Sequence, residues 1–167
     1  MYDTIDIKIM NLLQSDARIS NADIARKLKM APSGILERIR KLEERGLITG
    51  YEARIDSREV GLGLLVFLFV RTDEKVGELV AARLIARIPE VLEVHHVAGE
   101  DCYLVKLRVR DTEHLSRVMR ERFGGIGAIR STRTTIVLET VKETTRLPLP
   151  GDEEAAGGIR RPRKARK

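Results

Sequence analysis

The chain has 167 residues, 43% of them hydrophobic, which suits one large domain or two small ones and excludes wholesale disorder. Its formal charge of +6 comes from 31 Lys+Arg against 25 Asp+Glu, but residues 160–167 hold six basic groups and no acid, so the remainder is neutral. A nucleic-acid reading must therefore rest on local charge placement rather than on the high pI. The longest apolar run, Leu62 to Val70, is about half of what a membrane span needs. The N-terminus lacks a basic head followed by an apolar stretch, and a lone Cys102 can form neither an internal disulfide nor a thiolate metal site. These features predict a soluble, reduced, cytoplasmic protein with no membrane partner.

From Asp3 to Gly50 the apolar residues recur at helical spacing in three short blocks. Ile5, Ile9, Leu12 and Leu13 form one face of a first helix, with Asp3 as its N-cap and Asp6 adding negative charge to the first turn. Ser20-Asn21-Ala22-Asp23 opens a second helix with a capping-box pattern, flanked by Ile19 and Ile24 at the staple positions. Pro32 opens a third, favoured there because its missing N–H would have been unpaired. That helix turns Ile35, Ile39 and Leu42 inward and stops at Gly46. The last two helices, joined by Lys29-Met30-Ala31, predict a helix-turn-helix. Leu47 to Ile55 reads as extended with a turn at Thr49-Gly50, and the polar run from Asp56 to Gly61 marks the domain boundary, giving units 1–60 and 61–147.

The second unit has another rhythm. Leu64 to Val70 predicts a strand buried on both faces. Lys75 to Ile88 predicts a helix with Val76, Leu79, Val80, Leu84 and Ile88 inward, ended by Pro89. Val91 to Ala98 and the alternating Tyr103 to Arg110 predict a strand pair across the turn Gly99-Glu100-Asp101. Asp111 caps a helix with Leu115, Val118, Met119 and Phe123 inward, stopped at Gly124-Gly125, and Arg130 to Thr140 predicts a closing strand. The order β-α-β-β-α-β is the ferredoxin-like split βαβ arrangement, so the fold class is α+β. An antiparallel sheet with both helices on one face leaves the other open for a partner chain. Residues 148–167 lack apolar periodicity and are expected to form a disordered basic tail, either touching phosphates or merely solubilising the terminus.

The third helix carries the strongest functional signal. With its apolar stripe inward, the opposite face holds Ser33, Glu37, Arg40, Lys41 and Glu44, with Gly34 and Arg38 on its flanks. Between Ile24 and Arg45 seven basic residues stand against three acidic ones. Arg side chains can reach guanine edges in the major groove, whereas Lys and short residues suit phosphate approach. A solvated helix face would also carry such charges, as would a helix-turn-helix serving protein contact.

The run from Asp3 to Asp56 resembles the winged helix-turn-helix of the Lrp/AsnC (feast/famine) transcriptional regulators. VHHVAGEDCYLVKLRVRD and STRTTIVLETVKE are similar to the two signature stretches of that family's C-terminal ligand-binding domain. The resemblance covers roughly residues 2–147 without a large insertion. It implies a sequence-specific regulator that binds double-stranded DNA, forms homodimers that in the family often build octamers, and holds an amino acid between subunits. It assigns DNA contacts to Pro32, Ser33, Gly34, Glu37, Arg38 and Lys41, beside the Arg40 placed by the helical pattern. It assigns the effector to the loop of Gly99, Glu100, Asp101 and Tyr103, with Ser131 and Thr134 beside it. Two departures stand out: Ala31 replaces the family's usual capping Ser, and Cys102 stands where many relatives carry Asp. An effector's ammonium group needs a carboxylate, which Glu100 or Asp101 can supply, while backbone N–H groups of the Gly99 turn can meet its carboxylate.

Other residues read as structure. His95 and His96 are adjacent on a strand and point to opposite faces, His114 has no third ligand, and Cys102 has no evident base, so neither a metal, a cofactor nor an enzymatic activity is expected. Gly124-Gly125-Ile126-Gly127 follows a helix instead of opening one, which makes it a C-cap rather than a phosphate loop. Two rivals remain: an effector-free architectural DNA-binding protein, and an enzyme like the sirohaem decarboxylases, which resemble these regulators but carry a Trp this chain lacks.

Overall fold

The computed structural model describes residues 2–75, 77–99 and 101–150. It divides into two compact units, one made of the residues up to Arg54 together with those from Glu143, the other of Ile55–Lys142.

The first unit contains α1 (Thr4–Ser15), α2 (Asn21–Leu28) and α3 (Pro32–Glu44). Asp3 caps α1 by accepting from the N–H groups of Ile5 and Asp6 at 2.9 Å, while Asp6 Oδ2 accepts from the Asp3 N–H at 3.0 Å. Ser20 caps α2 by accepting from the Asp23 N–H at 3.1 Å. Lys29 then turns the chain towards α3 in the left-handed region, with φ of 54°. Ile9, Met10, Leu13, Ile24, Ala25, Ile35, Ile39 and Leu42 close the core, with Ile19 packed against it at the expected staple position. The segment expected to be extended after α3 joins no strand ladder among the described residues. Leu47 and Ile48 instead donate back to the Leu42 carbonyl at 2.9 and 3.2 Å, finishing the helix rather than starting a strand.

Residues 143–150 return to α1. The Leu147 N–H donates to Gln14 Oε1 at 2.7 Å, Gln14 Nε2 donates to the Leu147 carbonyl at 3.2 Å, and Leu149 packs on the helical core. The first residues of the expected tail are thus docked; residues 151–167, with their basic run, lie outside the described residues.

The second unit contains β1 (Leu64–Thr72), α4 (Val80–Ile85), β2 (Val91–His96), β3 (Tyr103–Val109), α5 (Thr112–Val118) and β4 (Ile129–Ile136). A single π-type turn, Met119–Phe123, extends α5. The strands form one antiparallel sheet in the order β2-β3-β1-β4, which is the predicted split βαβ topology. Asp111 caps α5 by accepting from the His114 N–H at 2.7 Å. The helix ends at Gly124, a position that calls for glycine because a Cβ there would lie 2.5 Å from the Arg120 carbonyl oxygen. The connector after Arg54 belongs to this unit: Leu62 N–H donates to the Ser57 carbonyl at 2.7 Å, and Ile55, Val60 and Leu62 line a cavity of about 530 Å³ with Pro89 and Leu92.

Several expectations need correction. β1 is fully buried on one face and only in part on the other: Val66, Leu68 and Val70 are sealed beneath the helices, whereas on the open face Leu65 is buried but Phe67 and Phe69 are half-buried. The helix expected from Lys75 begins at Val80, because Gly77 takes a φ of 91°, outside the helical region. Its inward residues are Ala81 and Ile85, followed by Ile88, while Leu79, Val80 and Leu84 are exposed; Val76 is outside the described residues. β2 stops at His96, where the Val97 N–H closes on the Cys102 carbonyl at 3.0 Å. β4 stops at Ile136 because its partner β1 runs out near Leu64.

Candidate nucleic-acid interface and effector loop

Helix α3 places its residues by periodicity. Ile35, Ile39 and Leu42 are buried, which turns Pro32, Ser33, Glu37, Arg40 and Lys41 to the exposed side. Gly34 is half-buried beside Met30. Glu37 sits among the cations: its carboxylate is 3.3 Å from Lys41 Nζ and 3.2 Å from Arg40 Nη2, and Arg40 Nε also lies 3.6 Å from Glu44. The Lys41 hydrogen bond, then the charge of Arg40, holds the Glu37 carboxyl below its usual range. All four side chains are about half exposed, so these pairs are weak and exchangeable for a phosphate partner. Ala31 supplies no side-chain cap, leaving the first N–H groups of α3 without one. At the far end Tyr51 donates to Glu43 Oε1 at 2.9 Å; burial and then that carboxylate push its hydroxyl up to about 12.

Arg38 differs from its neighbours. Its Nη1 donates to Asp3 Oδ2 at 2.8 Å and to Asp6 Oδ1 at 2.7 Å, so the guanidinium faces α1. Arg38, Asp6, Gly34, Glu37, Lys41 and Arg45 line a surface cavity of about 320 Å³ with Met30 and Leu42. Leu36, not among the expected contact residues, is 56% exposed on α3. The available signal was its place off the apolar stripe.

The effector candidates are divided by the sheet. Gly99 has a φ of 141°, a conformation that favours glycine, and Glu100 is outside the described residues. Asp101 Oδ2 accepts from Arg133 Nη2 at 2.9 Å, and the Arg133 guanidinium lies 4.1 Å from the ring centroid of Phe69. Arg133 pairs with Phe69 and Ser131 with Arg71, so alternation places both on the open face. Thr134 pairs with Leu68, and Tyr103 with Val70, on the helix-covered face. Tyr103 is 2% exposed and donates to Glu74 Oε2 at 3.1 Å; burial, then that carboxylate, raises its pKa. Glu74 Oε1 in turn accepts from the Ala81 N–H at 2.7 Å, linking Tyr103 to the start of α4. The structure therefore brings Asp101 and Ser131 to one face and leaves Tyr103 and Thr134 on the other. Arg133 and Phe69 were missed: no local pattern reports an ion pair 32 residues apart.

The histidines have structural partners. His95 lies 3.0 Å from Glu93, His96 stacks on Tyr103 with ring centroids 5.3 Å apart, and His114 Nε2 lies 3.3 Å from Glu90 Oε1. Among the described residues no helix is long and apolar enough to cross a membrane.

Residues 2–49 match the family described as winged helix-turn-helix DNA-binding, and residues 65–147 match the Lrp/AsnC ligand binding domain. This chain belongs to the Lrp/AsnC family. It is 38% identical to the HTH-type transcriptional regulator FL11 of Pyrococcus horikoshii over 147 residues, covering 88% of this chain and 96% of that one. It is 33% identical to the leucine-responsive regulatory protein of Escherichia coli, covering 87% of this chain and 90% of that one. Among solved structures, a transcriptional regulator of Neisseria meningitidis in complex with L-Met aligns with a TM-score of 0.84 at 29% identity, covering 90% of this chain and 98% of that one. The feast or famine regulatory protein of M. tuberculosis complexed with L-methionine aligns at 0.81 and 30%, covering 89% and 99%. This Lrp/AsnC member is thus a DNA-binding transcriptional regulator, with α2 and α3 forming its helix-turn-helix.

Proposed function

We propose that this regulator binds DNA as a homodimer, with octamers as a further assembly, each α3 lying in the major groove. Pro32, Ser33, Gly34, Glu37, Arg40 and Lys41 form the face presented to the duplex. Lys41 meets phosphate, Arg40 is long enough for a guanine edge, and exposed Leu36 suits a thymine methyl. Glu37 holds both cations in the absence of DNA and can accept from a cytosine amino group when they are drawn away. The observation that carries this reading is the exposed, exchangeable Arg40–Glu37–Lys41 cluster opposite a fully buried apolar stripe. Two-fold symmetry places the half-sites about one helical turn apart.

The effector of this reading is an α-amino acid at a subunit interface on the open sheet face. Asp101 takes its ammonium group and Arg133 its carboxylate, so the zwitterion separates an existing ion pair. The L-methionine complexes of two relatives support that ligand class. Tyr103, just after the loop, is anchored through Glu74 to the start of α4. Effector binding then acts by favouring one pairing of DNA-binding units over another. Calorimetry against the twenty amino acids tests this: heat from at least one, lost in Asp101→Ala, is expected. No heat from any would leave an architectural, effector-free DNA-binding role.

A further inference from the structure

We infer that Arg38 is a positioning residue for DNA recognition, clamping the N-terminal cap of α1 to the middle of α3 instead of touching DNA. The inference rests on α3 being the reading helix, and goes beyond it by removing one cation from the contact set and giving it another task.

The geometry divides four carboxylate oxygens between two jobs. Asp3 uses Oδ1 to accept from the N–H groups of Ile5 and Asp6, and Oδ2 to accept from Arg38 at 2.8 Å. Asp6 uses Oδ2 to accept from the Asp3 N–H, and Oδ1 to accept from Arg38 at 2.7 Å. The capping box and the clamp therefore share residues without competing for atoms. Asp6 is the one buried charged group among the described residues, at 8% exposed, and the Arg38 side chain is only 29% exposed against 61% for Arg40 and Lys41. An ion pair with a buried member is held far more firmly than its exposed neighbours, because a carboxylate left there unpaired would be costly.

Position matters because apolar packing is not directional. Ile35, Ile39 and Leu42 keep α3 against the core, and directional bonds add to that packing a fixed register. Each residue step along a helix is about 1.5 Å and 100°, so a small displacement of α3 changes which base edge Arg40 or Leu36 meets. Two short charge-assisted bonds from mid-helix fix that roll and register against α1.

The test exploits a difference in sign. On a surface that meets polyanionic DNA, removing a carboxylate strengthens binding by electrostatics alone. If Arg38 is a clamp, Asp6→Asn instead weakens binding, as Arg38→Ala does. The probes are a duplex selected by the full chain from a random pool and an unselected duplex of equal length, titrated at several salt concentrations. Expected for both variants is a loss on the order of tenfold on the selected duplex, little change on the unselected one, and an unaltered salt slope. Asp3→Ser, which keeps a capping oxygen but loses one clamp arm, gives a smaller loss in the same direction and guards against an unfolded Asp6→Asn. Arg38→Ala that lowers the slope by about 0.9 for each engaged α3, with Asp6→Asn or Asp3→Ser binding as tightly as or more tightly than the parent, overturns the clamp. So does Arg38→Ala that leaves the selected duplex bound as before. Lys41→Ala is the control: if it too is without effect, the placement of α3 has failed rather than the role of Arg38.

Discussion

Glu37 illustrates how charge is arranged at the scale of single residues. It accepts from Lys41 and Arg40 at once, and all three are exposed. Its removal frees Lys41 and leaves Arg40 only its longer pair with Glu44, without disturbing the buried stripe. Glu37→Gln should therefore strengthen binding to unselected DNA several-fold, at least until the cations saturate, which filter binding at fixed salt will measure. Lys41→Ala should cost about 1 kcal/mol of DNA affinity per engaged α3 across all sequences and lower the salt slope by about 0.9 for each. Asp3 makes a different prediction. The Asp6 N–H, then Arg38, lowers its carboxyl below the ordinary 3.8, so the folded state favours its ionised form. That stabilisation is fully present above the ordinary value and is lost as pH falls through the depressed one. Melting temperature should drop on acidification below about pH 4, and Asp3→Asn should shrink the drop in a scanning calorimeter.

At the scale of elements, what the sequence shows depends on how local the cause is. The caps of α1, α2 and α5 and the start of α3 were legible because Asp3, Ser20, Asp111 and Pro32 act within one turn, whereas Met10, buried on α1, lay outside the expected stripe. The run Leu64 to Val70 was misread because an apolar sequence does not report which face will be covered; that depends on where α4 and α5 lie. The exposed face of α3 was legible, but the partners of Arg38 and Arg133 were not, being 32 or more residues distant in sequence. Two substitutions test the local causes. Ala31→Ser should add the missing cap and raise stability by about 1 kcal/mol in chemical denaturation. Gly124→Ala should destabilise, because its Cβ would meet the Arg120 carbonyl at 2.5 Å and the backbone must shift.

At the scale of the molecule, the chain leaves the helical unit at Arg54 and returns to it at Glu143. Gln14 closes the return through both its amide oxygen and its amide nitrogen on Leu147. Leu147, expected in the second unit, and Leu149, expected in the tail, thus both pack with the helical unit; two leucines so close together give no periodic signal. The most direct test of the regulator's recognition mode is guanine-N7 methylation protection on a duplex selected from a random pool, comparing the parent chain with Arg40→Ala. Protection of major-groove guanines in two patches about one helical turn apart, weakened at specific positions by Arg40→Ala, is the expected result. Protection absent from the major groove, or identical in the variant at every guanine, would contradict the placement of α3.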